Sequence, residues 1–256
     1  MFSIADDGSI RWLTIENPAR RNAIPFSEWE ALAGHLRDFE ASAQRALVVV
    51  GAGEDFCSGA DLGAGFALGR GAAAAYEVMR RVSGAARALY ALTKPTVAAV
   101  DGVAVGAGMN LALGCDIAVA STRARFSEIF VRRGLVVDFA GIWLLPRRVG
   151  LARAKELALT GRIVGAEDAL RYGLVAEVVP PEDLRRRAGE VAAELAAAAP
   201  RAQQFVKMGL ERSFEMSFDE ALEYETQAQA VCLSSEDVIE GVRSFLEKRP
   251  PRFQGR

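Results

Sequence analysis

Two short runs constrain this chain most: ALVVV at 46–50 and TVAAV at 96–100, each leading straight into a glycine-bearing loop. An unbroken run rich in β-branched residues suits a strand buried on both faces. Around these two runs the pattern alternates between strand and helix. Residues 2–5 and 10–16 read as a hairpin around Asp7-Gly8, a favoured two-residue turn. A helix is predicted over 26–40, where Trp29, Leu32, Ala33, Leu36 and Phe39 make one apolar stripe. Ser27 and Glu30 stand at capping-box spacing at its start.

Further along, 71–92 reads as a long Ala-rich helix that stops before Pro95. Residues 102–115 read as a loop running into a short helix, and 117–120 and about 125–128 as strands. A helix-rich stretch covers 139–173, and a last strand, 174–179, halts at Pro180-Pro181. From there on only helical spacing remains, over 182–198, 202–215, 218–232 and 235–248. The pattern therefore divides into an α/β core, 1–197, and a helical appendage, 198–256. The appendage is too small to bury its own apolar positions, which points to packing on a partner subunit.

Composition removes several functions. Lys plus Arg number 31 against 33 Asp plus Glu, a net charge of −2. That balance offers no electrostatic basis for binding nucleic acid or an anionic membrane. The longest uncharged apolar stretch, about 102–115, falls short of the roughly 20 residues that span a bilayer. Asp6 and Asp7 interrupt the start where a signal peptide would be apolar, so a cytoplasmic location is expected. Cys57, Cys115 and Cys232 have no CxxC spacing, so neither a disulfide framework nor a zinc site is expected. The single histidine, His35, lies off the apolar stripe of its helix and reads as a surface residue. A Ser-His-Asp or Cys-His mechanism then has no base.

Two glycine loops remain, Ser58-Gly59-Ala60-Asp61 and Gly106-Ala107-Gly108-Met109-Asn110. The second fails the dinucleotide pattern because Leu111 stands where GxGxxG needs glycine. No Gly-Lys-Ser/Thr follows any glycine, so a P-loop is absent. What the loops do offer is backbone N–H groups free of bulky side chains, the second set at a helix start. Facing one oxygen, they would form an oxyanion hole able to stabilise an enolate on a thioester. Tight turns and close strand–helix packing would explain the same glycines equally well.

Assembled in order, ENPARRNAI (16–24), VVVGAGEDFCSGADL (48–62), KPTVAAVDGVAVGAGMNLALGCDIAVAS (94–121), LPRRVG (145–150) and FLEKRPPRF (245–253) resemble the enoyl-CoA hydratase/isomerase (crotonase) superfamily. The resemblance implies a spiral of ββα repeats followed by a C-terminal helical trimerisation region, in homotrimers or dimers of trimers. It implies a coenzyme A thioester as substrate and no separate cofactor or metal. Matched residue by residue, the amides holding the thioester oxygen belong to Ala60 and Ala107. Asp61, Leu62 and Gly63 would line the CoA channel, although Asp61 also suits a structural cap. Arg21 would flank the nucleotide, and Phe245 and Lys248 would reach the CoA of a neighbouring subunit.

The sequence departs from the hydratases at their two glutamates. Asn110 stands at the first position and Phe130, four residues after Phe126, at the second. An amide orients water without exchanging protons, and phenylalanine does neither. A two-residue slip would bring Glu128 to the second position instead. One carboxylate does match a catalytic position: Asp138, where dienoyl-CoA isomerases and those of phenylacetate degradation carry an acting Asp, and a related dehalogenase a nucleophile. Its apolar neighbours should raise its pKa and improve it as a carbon-acid base. Its competing reading is an N-cap before the following helix. Asp138 with the Ala60 and Ala107 amides would move a double bond, and Phe130 would keep the site dry. The alternatives are hydration through Glu128, dehalogenase- or hydrolase-type attack, and acyl-CoA binding without turnover. The 66–79 segment, with Phe66, Tyr76 and Met79, is expected to cover the acyl pocket, and Trp143 either to approach it or to pack its own helix.

Overall fold

The computed structural model describes residues 1–63 and 71–256. Phe66 lies outside them. The strands are β1 (Phe2–Asp7), β2 (Ile10–Ile15), β3 (Ala46–Gly51), β4 (Thr96–Val100), β5 (Val103–Val105), β6 (Ile117–Ser121), β7 (Arg125–Ser127), β8 (Val164–Gly165) and β9 (Glu177–Val179). The helices are α1 (Trp29–Ala41), α2 (Ala72–Tyr90), α3 (Ala107–Gly114), α4 (Gly141–Thr160), α5 (Ala166–Tyr172), α6 (Leu184–Ala197), α7 (Pro200–Arg212), α8 (Phe218–Leu233) and α9 (Glu236–Glu247).

Six strands form one sheet in the order β1-β2-β3-β4-β6-β9, and β5-β7-β8 form a smaller one. All neighbours in the large sheet pair in parallel except β1 with β2. Successive turns of the chain share one plan. β4 lies in the large sheet, β5 in the small one, then α3 follows; β6, β7 and α4 repeat it. The turn before them lays Cys57 beside Ala104 in a parallel bridge, as an incipient strand of the small sheet.

The two marker runs are buried on both faces, as their composition demands. Leu47, Val49, Ala98 and Val100 face a core shared with α1, α2 and α3. Their alternates Ala46, Val48, Val97 and Ala99 face Leu184, Ala188 and Val191 of α6. The period of two thus assigns each residue to one of two apolar layers.

Several local expectations shift. The first hairpin turn is Gly8-Ser9, since β1 continues to Asp7, which pairs with Ile10, and Gly8 takes φ +57°. The first helix starts at Trp29 behind Glu28, and Ser27 makes no cap bond there. A turn closed by Glu28 N–H on the carbonyl of Pro25 occupies the residues just before it. Its stripe is buried as read, but His35 is half-buried, with its ring edge-on to Phe2 at 5.7 Å. The β1 edge covers what the helix alone left to solvent. β5 occupies three residues read as loop; too short for a periodic signal, it is fixed by pairing with β7. The last strand is confined to Glu177–Val179, because Leu174 N–H instead closes the end of α5 on Ala169.

α6 ends the covering layer of the large sheet, and beyond it burial falls away. α7 and α8 bury no residue, and Phe214, Phe218, Phe245 and Leu246 are each more than 70% exposed. No helix among the described residues is long and apolar enough to cross a membrane. None of their His, Cys, Asp and Glu side chains cluster in a way that could hold a metal ion. All three cysteines are free.

Candidate active site

The site grows from two backbone segments bonded side by side. Cys57 N–H donates to Val103 O at 2.9 Å, and Val105 N–H donates to Cys57 O at 3.0 Å. On the other edge Ile24 N–H donates to Gly59 O (2.8 Å) and Asp61 N–H to Ile24 O (2.9 Å). These bonds pin residues 57–61 and pass over Ala60, whose N–H donates to nothing among the described residues. Ala107 opens α3, where the first amides have no carbonyl one turn back, and its N–H is equally free. Gly59, at φ +91°, passes so close that an added Cβ would lie 3.4 Å from the Ala107 nitrogen. Gly108 is pressed against the Cys57 backbone in the same way. Both glycine loops therefore serve close packing, and that packing brings two unpaired amides together.

A cavity of about 340 Å³ opens in front of them, lined by Ala60, Ala107, Phe130 and Asp138 and by apolar Phe26, Leu62, Met79 and Val136. Among the described residues Asp138 is the one carboxyl in that lining. It stands in the connection before α4, where Phe139 (φ +47°) and Ala140 (φ +61°) both take left-handed conformations. Such residues cost about 1–3 kcal/mol each and persist where their surroundings fix them. Here Asn110 Nδ2 donates to Asp138 O at 2.9 Å, Gly141 N–H donates to the same oxygen at 2.9 Å, and the Phe139 ring packs 5.4 Å from Trp29. Gly141 leaves room for the Asn110 amide that a Cβ would fill.

This geometry removes the N-cap reading of Asp138. The cap of α4 is Ala140, and among the described residues no side chain caps the helix and the buried Asp138 Oδ1 has no partner. Burial pushes its carboxyl up to about 7.

Phe130, not Glu128, lies in the cavity wall. Glu128 is nonetheless close to the site. It is 1% exposed, outside the cavity lining, and its Oε2 accepts from Asn110 Nδ2 at 3.4 Å. Burial, together with the charge of Asp138, pushes its carboxyl up to about 8.

The remaining predicted residues divide. Leu62 lines the cavity. Asp61 does not; its Oδ1 accepts from Gly63 N–H at 2.9 Å and lies 3.9 Å from Arg20, which makes it a turn cap. Arg21, at φ +50°, projects a largely exposed guanidinium 4.0 Å from Asp55. Phe245 borders a different groove, with Val238 and Phe253, and Lys248 caps α9; neither meets the cavity of its own chain. Met79 lines the cavity, while Tyr76 is exposed. Trp143 packs away from it, edge-on to Tyr90 at 5.1 Å and under Arg147 at 3.7 Å.

The family model described as enoyl-CoA hydratase/isomerase matches residues 6–256. A probable enoyl-CoA hydratase of Rhodobacter capsulatus is 39% identical over 95% of this chain and 94% of its own. The 1,2-epoxyphenylacetyl-CoA isomerase of Escherichia coli is 37% identical over the same shares. A crystal structure of a putative enoyl-CoA hydratase from Streptomyces coelicolor superposes with a TM-score of 0.95 at 34% identity, covering all of this chain and 94% of that one. Two loops braced so that paired amides face an apolar cavity, on a crotonase fold matched along its whole length, make this chain an enzyme of the enoyl-CoA hydratase/isomerase family.

Proposed function

We propose that the enzyme shifts a double bond in an enoyl-CoA thioester, with Asp138 as the proton carrier. The observation that carries this reading is the cavity wall itself, where the described residues supply one carboxyl, two free amides and no second acid. Asp138 takes a proton from a carbon beside the thioester or along its vinylogous chain. The electron pair left behind moves into conjugation with the carbonyl, and the charge gathers on the thioester oxygen, where the Ala60 and Ala107 N–H groups receive it. Protonated Asp138 then returns the same proton at another carbon, and the atoms balance with no water added. A carboxyl at about 7 suits both halves of this cycle near neutrality.

Phe130 supports the reading by filling the place of a second acid with a ring, and the mostly apolar wall favours a hydrocarbon acyl group. No cofactor is needed beyond the CoA moiety. In this proposal Arg21, Leu62 and Gly63 flank the CoA, and Phe245 and Lys248 complete the site of a neighbouring copy. The uncovered apolar faces of α7–α9 are then buried in a homotrimer or a dimer of trimers.

Incubation with 2-enoyl-CoA and 3-enoyl-CoA thioesters, with products resolved by chromatography and mass, tests the reading. Double-bond migration without mass change, lost in Asp138→Asn, is the expected result. Gain of one water that survives this substitution overturns it.

A further inference from the structure

At the cavity wall and behind it three polar side chains from three elements converge: buried Asn110 of α3, buried Glu128 after β7, and half-buried Asp138 before α4, which itself lines the cavity. Each keeps a buried oxygen with no partner among the described residues, namely Asn110 Oδ1, Glu128 Oε1 and Asp138 Oδ1. Their one shared donor, Asn110 Nδ2, is already divided between Asp138 O at 2.9 Å and Glu128 Oε2 at 3.4 Å. The group is short of protons, not of acceptors. A buried carboxylate left in that state is far costlier than a carboxylic acid, which brings its own donor.

We infer that Glu128 is a positioning residue held protonated in the resting enzyme, so that the buried group carries a single negative charge and that charge resides on Asp138. The inference rests on Asp138 being the base proposed above. Of the two carboxyls, Glu128 is the one shut off from the cavity, so the proton belongs there and the charge on the residue that meets substrate. Among the described residues no cation pairs with Glu128 or Asp138, although Arg133 borders the same cavity as Asp138. α3 presents only the neutral Asn110, and the connection before α4 presents Asp138 itself. In the same turn as Glu128, Arg132 Nε is committed to Thr160 O at 2.8 Å and Arg133 Nη1 contacts Arg132 O at 3.3 Å. At the far end of α4, Gly161 offers a carbonyl, which accepts from Ser127. Two carboxyls so placed lose their protons in two steps that belong to the pair. The raised values of about 7 and 8 agree with that order. Above the second step an additional negative charge lies behind the wall and opposes the charge developing on the enolate, and turnover falls.

The pH profile of kcat, with a matching infrared titration of the carboxyl C=O band, tests this on the intact enzyme. Wild-type protein is expected to give a bell, rising with Asp138 and falling with Glu128, and a protonated-carboxyl band that persists near pH 7. Glu128→Gln should lose the falling limb and the part of that band that titrates at about 8, while keeping the rising limb and the part that titrates with Asp138. Asp138→Asn should lose turnover and keep the band. An unchanged profile and band in Glu128→Gln, with Asp138→Asn inactive, overturns the Glu128 assignment and leaves the Asp138 reading standing. Full turnover in Asp138→Asn overturns the latter instead. Should Glu128→Gln fail to fold, Asn110→Asp offers the same test, because a third carboxyl must move the falling limb if the pair is coupled.

Discussion

One added methyl group at Gly108 should disable this enzyme, although helix propensity argues for it. Gly108 is the second residue of α3, where alanine would ordinarily gain up to about 1 kcal/mol over glycine. A Cβ at that point, however, falls 2.8 Å from the carbonyl carbon of Cys57, 2.9 Å from its Cβ, and closer still to its carbonyl oxygen. Backbone cannot rotate aside. The loop and the helix start must separate on the order of 1 Å against the two Cys57 hydrogen bonds, an overpacking cost of about 1–3 kcal/mol. That exceeds the propensity gain, so Gly108→Ala should lower Tm by a few degrees at about 2–4 °C per kcal/mol.

The larger effect is on chemistry, because the surfaces being forced apart carry the Ala60 and Ala107 amides. A misplacement of about 1 Å in a catalytic arrangement is worth about 100-fold, so kcat/KM should fall by that order. Gly114→Ala is the control. Its Cβ would meet the Leu89 Cδ2 methyl at 2.8 Å, the end of a side chain that can move, at the far end of the same helix. It should leave kcat/KM near the wild-type value. Steady-state turnover with enoyl-CoA, alongside thermal unfolding, reads both quantities. A Gly108→Ala enzyme with wild-type kcat/KM would refute the claim that close backbone packing sets the amide pair.

Ala107→Pro should remove one oxyanion donor without breaking α3, since proline is accepted at the first helical position; kcat should fall about 10²–10³-fold in the same assay. Phe130→Glu sets a like charge in the cavity with Asp138, so the acidic limb of the kcat/KM profile should move to higher pH, as a pH titration of rate will register. Folded-state values of about 7 for Asp138 and about 8 for Glu128 exceed those of the unfolded chain, 3.8 and 4.5. The native state therefore binds the extra protons, and stability should decline as pH rises from about 4 and level off above about 8. Asp138→Asn should accordingly melt higher than wild type at pH 8, by an amount that vanishes near pH 4.

Most of the fold could be read because the informative segments are buried on both sides. ALVVV and TVAAV admit no polar alternation, and each became a central strand of the large sheet. What escaped had no local signal. β5 is three residues long and exists through its partner β7. The first helix starts late because Pro25 and Glu28 close a turn of their own, and His35 is covered by a strand distant in sequence. At the site, the amides of Ala60 and Ala107 and the carboxyl of Asp138 are legible from their loops in the sequence, and they share one cavity. The proximity of Glu128 to Asp138 could have been found from period two. Phe126 is buried in β7, and a residue two further along continues on the same face.

That same alternation bears on how one scaffold can favour different reactions. From Phe126 onward the strand sends Glu128 inward, and the following 3-10 turn brings Phe130 to the cavity wall. The acid is thereby sealed away from the cavity and the ring borders it. With Asn110 and Phe130 at the two places where a hydratase would carry glutamates, Asp138 is the one carboxyl that the described residues present to the cavity. On the proposed mechanism, one exposed base returns the proton it removes, whereas adding water calls for a second group at the wall. The choice then lies in which side chain each turn of backbone faces toward the cavity, with the oxyanion-binding amides held in common.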